Sequence, residues 1–248
     1  MDVYFKKEII YSFEGKKFCF EVGETLFSTF DIDHGTDVLL RSISPEKIPN
    51  TILDLGCGYG PIGIVLGNKY PEAKVVMVDR DLLAVRYAKY NLQKNKVNNA
   101  IVLESVGMEA VSNQTFDLIV SNVPAKIGDE AITQEFILGP YKKLNPGGEL
   151  WIVVVKALNR LIPKVARQNQ LNLKEIRSRK GHTVYRIKQM LHTPFYDPTI
   201  PYEDNYIDGP FGEFADKKIF KQKGKPSYDF LGQKIYEPFG IPAGPLLN

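Results

Sequence analysis

Apolar positions along this chain follow two periods in succession. Residues 8–22 alternate polar and apolar side chains around Glu14-Gly15-Lys16, as in Phe18-x-Phe20-x-Val22. Alternation about a glycine turn predicts a β-hairpin with one buried face. The second half of 26–40 predicts a short helix. Beyond it, short apolar runs alternate with longer amphipathic ones. Strands are predicted at 51–55, 74–79, 100–104, 116–122 and 149–155. Helices are predicted at 61–69, 81–95, 129–142 and 158–168. Phe116-Asp117-Leu118-Ile119-Val120-Ser121 is nearly continuous in apolar residues, as a strand buried on both faces should be. Two last β-like runs, 171–178 and 183–190, close the series as a hairpin. Strands alternating with helices predict an α/β fold, a parallel sheet covered on both faces. The terminal hairpin adds one antiparallel strand.

The pattern changes after residue 191. The stretch 192–248 holds 8 of the 16 prolines, which no helical period survives. It is also rich in aromatics, so it does not read as a disordered linker. The expected organisation is a domain over 1–191 and an irregular extension over 192–248, packed back on a surface.

One stretch carries the chemistry. Thr51-Ile52-Leu53-Asp54-Leu55-Gly56-Cys57-Gly58-Tyr59-Gly60 is a strand, an acid and three alternate glycines, and Pro61 opens the next helix. Proline in a first helical turn loses no hydrogen bond, and glycine lets a ligand approach bare backbone. The dinucleotide fingerprint spaces its glycines as G-x-G-x-x-G; here they stand at 56, 58 and 60. Asp79 ends the next strand about 20 residues on, where a carboxylate can take the hydroxyls of an adenosine ribose. Asn122 ends the strand 116–122 and precedes Val123-Pro124-Ala125.

These stretches resemble the methyltransferase small domain family, over roughly residues 8–190. Asp54 with Gly56, Cys57, Gly58 and Gly60 is similar to motif I of class I methyltransferases that use S-adenosylmethionine (SAM). The resemblance implies a three-layer, Rossmann-like class I sheet with an N-terminal hairpin. It implies that Gly35 and Thr36 lie beside the methionine end of SAM, that the zwitterion is met by backbone N–H groups and a carboxylate, and that Asp79 holds the ribose. Arg80 and its neighbours Asp81 and Leu82 stand where the family packs the adenine. Val106 occupies a position that often carries an acid for the adenine amine. Asn122, Val123 and Pro124 match the family's Asn-Pro-Pro-aromatic motif, with Val123 for the first proline and Ala125 for the aromatic ring. That motif implies methylation of an exocyclic base amine, guanine N2 of ribosomal RNA, with RNA as the substrate partner. Phe30 is the nominated ring in place of the missing aromatic, and His34 is expected to face solvent. Methylation of a protein glutamine or a small molecule, and a SAM-fold module whose acceptor site has decayed, stand as alternatives. Residues 228–248 also resemble, faintly, the opening of dihydroorotate-dehydrogenase-like barrels.

Charge and cysteine usage adjust this picture little. The net charge is +3, compatible with nucleic acid without arguing for it. Six of seven charges between Asn172 and Met190 are positive, a basic hairpin that can meet phosphates. Cys19 and Cys57 are too far apart in sequence for a metal motif, so no metal is expected, and two free thiols fit a reducing, cytoplasmic setting. The longest apolar run, Leu150–Val155, is too short to span a bilayer.

Overall fold

The computed structural model describes residues 4–24 and 32–189, and the backbone of Tyr228–Phe230 and Gln233–Ile235. Phe30 and most of the extension lie outside the described residues. Contacts group Met1–Leu191 as one unit and His192–Asn248 as another.

The first unit opens with a hairpin of β1 (Phe5–Phe13) and β2 (Lys16–Gly23) turning at Glu14-Gly15. Helix α1 (His34–Leu40) follows. Then come β3 (Thr51–Leu55), α2 (Pro61–Lys69), β4 (Lys74–Asp79), α3 (Leu82–Lys94), β5 (Ala100–Glu104) and β6 (Phe116–Asn122). A helical segment runs over 129–142, as α4 (Asp129–Ala131), a π-helix (Ile132–Leu138) and α5 (Gly139–Lys142). The chain continues with β7 (Leu144–Val155), a 3₁₀ turn (Lys156–Leu158), α6 (Leu161–Gln168), β8 (Asn172–Arg179) and β9 (His182–Lys188). Seven strands form one sheet in the order β5-β4-β3-β6-β7-β9-β8. Only β9 runs antiparallel to its neighbours, as the terminal hairpin implied. In the second unit, β10 (Tyr228–Phe230) and β11 (Gln233–Ile235) pair antiparallel, so this part of the extension is a hairpin rather than irregular chain.

Strand alternation divides the core into two layers. Ile52, Val75, Met77, Leu118, Val120 and Val153 face α1, α2, α3 and the N-terminal hairpin. Leu53, Val76, Ile119, Leu150 and Ile152 face the 129–142 segment and α6. Both sheet faces are therefore covered, which a parallel sheet requires.

Two boundaries depart from expectation. Strand β7 begins at Leu144, ahead of the glycine pair; Phe116 pairs with Leu144 and Leu118 with Glu149, so residues 145–148 bulge out of the ladder. Gly147 turns there at φ 77°. A Cβ on Gly148 would lie 2.9–3.1 Å from the carbonyl oxygens of Asn145, Phe116 and Asp117. The 129–142 helix, expected as plain α, widens into a π-helix, a geometry frequent beside functional sites.

The hairpin docks on α3 through two asparagines. Asn91 and Asn95 stand one helical turn apart, and each side-chain amide both accepts from and donates to one β2 residue. Asn91 serves Glu21 at 2.8 and 2.9 Å, and Asn95 serves Cys19 at 2.9 and 2.8 Å. A helix step of four residues thus matches a strand step of two. Asn91, 0% exposed, also donates to the Tyr59 carbonyl at 2.9 Å. It ties the hairpin to the glycine turn. Asn91→Ala removes the side-chain partner of three backbone groups and is expected to cost about 2 kcal/mol. Chemical denaturation checks this; an unchanged midpoint would show that water replaces the amide.

Candidate active site

Asp54 organises the glycine turn from below. It is fully buried near the end of β3, and its Oδ2 accepts the Gly63 N–H at 2.7 Å. Helix α2 has Gly60 at its N-cap and no side-chain cap of its own. The carboxylate therefore satisfies an orphan donor of the first turn, where the helix dipole favours negative charge. Its other oxygen, Oδ1, is buried with no hydrogen-bond partner among the described residues. Burial, with the Asp79 charge nearby, pushes the Asp54 pKa up to about 7. Gly63 adds a packing constraint, since a Cβ there would lie 2.6 Å from Met77 Cγ.

The turn itself is closed by backbone bonds. Gly56 and Cys57 N–H both donate to the Val78 carbonyl at 2.9 Å, and Gly60 N–H to the Cys57 carbonyl at 3.0 Å. Gly58 N–H donates to Asp79 Oδ2 at 2.8 Å. These four donors are engaged within the protein, which corrects the expectation that the loop's N–H groups wait for a ligand. What the loop provides is room. Gly56 and Gly58 sit at φ 74° and 57°. Among the described residues, a Cβ on Gly58 would meet nothing within 4 Å, and one on Gly56 only Phe136 at 3.8 Å. The Cys57 side chain points into the core, and burial raises its pKa.

Asp79 stands at the carboxyl end of β4, with Oδ1 accepting the Asp81 N–H at 2.9 Å. Arg80 beside it is exposed. Two large apolar side chains flank this acid in the open: Leu82 is 69% and Val106 63% exposed. The Ser105 N–H donates to the Asp79 carbonyl at 2.9 Å, fixing the Val106 loop to the end of β4.

Asn122 ends β6 one strand over. The buried Ser121 hydroxyl donates to the Leu55 carbonyl at 2.7 Å, and Val123 N–H to the Val153 carbonyl at 3.0 Å. The strand end is thereby pinned on both sides. Asn122 Nδ2 donates to Asp33 Oδ2 at 2.7 Å and to Thr36 Oγ1 at 3.1 Å. Asp33 is also the N-cap of α1, accepting the Thr36 N–H at 3.2 Å. With both amide protons directed at α1, the side-chain oxygen is left as the acceptor. Val123 is buried, whereas Pro124 and Ala125 are exposed.

His34 does not face solvent as expected. It is half-buried, with its ring 5.5 Å from that of His182 in an edge contact and Nε2 buried without a partner among the described residues. Gly35 is glycine for packing: a Cβ would lie 2.9 Å from both Asp33 Oδ2 and His182 Cδ2. The sheet thus brings the expected residues Gly35, Thr36, Asp54, the glycine turn, Asp79, Val106 and Asn122 to one carboxyl edge, where open α/β sheets hold ligands. Sequence reasoning missed Asp33 as the brace of Asn122 and Gly63 as the donor to Asp54. An N-cap aspartate two residues before Gly35 was the one signal available for the first.

The profile of the methyltransferase small domain matches residues 17–186. The chain belongs to the methyltransferase small domain family. Among its relatives, the uncharacterized protein YbxB of Bacillus subtilis is 33% identical over 142 residues, 57% of this chain and 70% of that protein. Ribosomal RNA small subunit methyltransferase C of Hahella chejuensis is 38% identical over 141 residues, 56% of this chain and 39% of that protein. Against the ribosomal RNA methyltransferases of Hahella chejuensis and Haemophilus influenzae, the match spans 39% and 49% of their length. Among solved structures, the T. thermophilus 16S rRNA N2 G1207 methyltransferase (RsmC), in complex with AdoMet and guanosine, superposes with a TM-score of 0.63. It is 24% identical, and the match covers 74% of this chain and 50% of that one. Among the described residues of this family member, no His, Cys, Asp or Glu cluster could hold a metal, and no helix is long and apolar enough to cross a membrane.

Proposed function

We propose that this protein transfers a methyl group from SAM to the N2 amine of a guanine in ribosomal RNA, in the cytoplasm. The observation that carries the reading is the fixed amide of Asn122, whose nitrogen is held by Asp33 and Thr36 so that its oxygen accepts. An exocyclic amine needs such an acceptor to orient its hydrogens. The Val123 carbonyl is assigned to the second hydrogen; valine supplies it as well as proline does. Bound SAM supplies an activated methyl group, and the acceptor amine needs positioning more than acid–base help.

The residues present fit that cofactor. Open space over Gly56 and Gly58 admits it, Asp79 offers carboxylate oxygens to a ribose, and exposed Leu82 and Val106 offer apolar surface to an adenine. Val106 cannot accept from the adenine amine, so recognition there falls to backbone or water. The buried charge of Asp54 lies beneath the turn, where the cationic end of the ligand is expected. Gly35 and Thr36 extend this wall from α1, Cys57 contributes only backbone, Arg80 borders the site from the surface, and Pro124 shapes the loop after Asn122. The relatives named for ribosomal RNA methylation support the substrate class.

Asp79→Ala is expected to weaken SAM binding roughly thirtyfold, about 2 kcal/mol for a charged hydrogen bond. Part of that loss is the freed Gly58 N–H. Isothermal titration reads it, and wild-type affinity in the variant would displace the ribose site from Asp79. The function itself is tested by incubating the protein with labelled SAM and unmethylated ribosomal RNA, then mapping the product by mass. N2-methylguanosine supports the reading; label on protein or a small molecule alone, or no label anywhere, overturns it.

A further inference from the structure

The basic residues of this chain are concentrated in one segment. Residues 156–180 hold eight lysines and arginines and a single acid, Glu175, in a chain whose net charge is +3. The rest of the chain is therefore net negative. The basic hairpin between Asn172 and Met190 also includes Arg186 and Lys188, but both are paired: Arg186 lies 2.9 Å and Lys188 2.7 Å from Glu46 carboxylate oxygens. Among the described residues, none of the eight cations of 156–180 joins an ion pair.

On α6 these charges form a face. Arg160, Lys164 and Arg167 recur at helical spacing and are exposed, while Ile162, Val165 and Ala166 are buried on the other side. With Asn159, Pro163 and Gln168 they line a hollow of about 440 Å³. Arg160 stands at the N-cap, and the first turn carries no acid. A cation there opposes the helix dipole, so helix stability does not account for it. At the sheet edge beside α6, β8 carries exposed Arg177 and Arg179, which pair with Val184 and His182 of the α1 side, and Lys180 follows in the turn. Cations on an edge strand can serve simply to block pairing, but α6 has no edge to protect.

Helix α6 starts at the working edge of the sheet, on the face away from α1, and β8 ends at that edge. Strand β7 ends at Val155, and Lys156 N–H donates to the Gly181 carbonyl at 2.8 Å. Through the ladder, Asn122 pairs with Val153, Val153 with Val184, and Val184 with Arg177. Arg177 is thus level with Asn122 and three strands away, about 14 Å.

We propose that α6 and the end of β8 hold the phosphate backbone of the RNA whose base is presented to Asn122. This rests on the reading of RNA as substrate and adds where its backbone lies. Clustered, unpaired cations near the strand end that carries Asn122 fit a polyanion, and phosphate contacts fix register without reading sequence.

The test compares the full chain with Arg160→Gln/Lys164→Gln/Arg167→Gln, using a short single-stranded RNA and fluorescence anisotropy across a salt series. A second triple, Arg177→Gln/Arg179→Gln/Lys180→Gln, keeps the question open to an answer if the first folds poorly. Lys16→Gln/Lys17→Gln/Lys47→Gln is the control for lost charge elsewhere. Each phosphate contact contributes about 0.7 to the logarithmic salt slope on a single strand. Either test triple should flatten the slope by about 2 and weaken low-salt binding tenfold or more, with SAM affinity unchanged. The control should barely move either quantity. Wild-type slope and affinity in both test triples, or equal losses in the control, would overturn the proposal while leaving RNA as substrate. A wild-type chain that binds no RNA at all overturns both.

Discussion

Asn122→Ala is expected to reduce methyl transfer about a hundredfold or more while SAM affinity stays within about twofold of wild type. The asymmetry follows from what the side chain touches. Its nitrogen is bound to Asp33 and Thr36, and the glycine turn and Asp79 are held by bonds that do not include it. Removing the amide deletes the acceptor that would orient the amine and leaves the cofactor cradle in place. A hundredfold corresponds to about 2.7 kcal/mol, a reasonable loss for misplacing a reacting group. Single-turnover transfer to ribosomal RNA, with SAM titration alongside, separates the two effects. Asp33→Ala gives the graded companion. It keeps the Asn122 oxygen and its bond to Thr36 but removes the shorter of the two anchors of the amide, together with the cap of α1, so a loss of about tenfold is expected. Normal turnover by Asn122→Ala would mean that another group orients the acceptor. Equal losses in affinity and turnover would place Asn122 in the cofactor site instead.

The glycine turn was legible in the sequence because its geometry is local. Positive φ at residues 56, 58 and 60 favours glycine whatever surrounds it. Asp79 was legible for a related reason, since one strand–helix–strand unit sets its distance from the turn. The sheet followed from apolar period alone, down to the single antiparallel strand. What stayed hidden depends on contacts between distant segments. Asp33 and Asn122 are 89 residues apart, and either alone reads as an ordinary cap or turn residue. Arg186 and Lys188 looked like free charge until Glu46, about 140 residues earlier, was folded against them. His34 looked solvent-facing because His182 arrives from the last strand. The free N–H groups expected of the turn were a misreading of another kind. Glycine guarantees access to backbone, but it does not say whether the backbone donors are already engaged.

Asp54 carries the largest expected effect, and it is visible as pH dependence. An ordinary aspartate has a pKa of 3.8, and burial lifts this one to about 7. In the unfolded chain the group ionises near pH 4; in the folded chain it stays neutral to about pH 7. The folded state therefore holds the extra proton between those values, and stability falls as pH rises through this window, levelling off above it. The difference corresponds to on the order of 4 kcal/mol. Asp54→Asn keeps an oxygen for the Gly63 N–H and removes the titration. At pH 8, without cofactor, the variant is expected to be more stable than wild type by up to that amount, roughly 10 °C in Tm for a domain of this size. At pH 4 the two should nearly coincide. Titrating groups remote from Asp54 cancel in the difference between the curves, so thermal unfolding of both proteins from pH 4 to 8 isolates Asp54 together with its coupling to the Asp79 charge. A flat difference curve would show that the carboxylate is solvated in the folded state. The same substitution should weaken SAM binding, because a neutral amide no longer attracts the cationic end of the ligand. Stability gained and affinity lost in one variant would identify Asp54 as a buried charge retained for its ligand, at the expense of the fold.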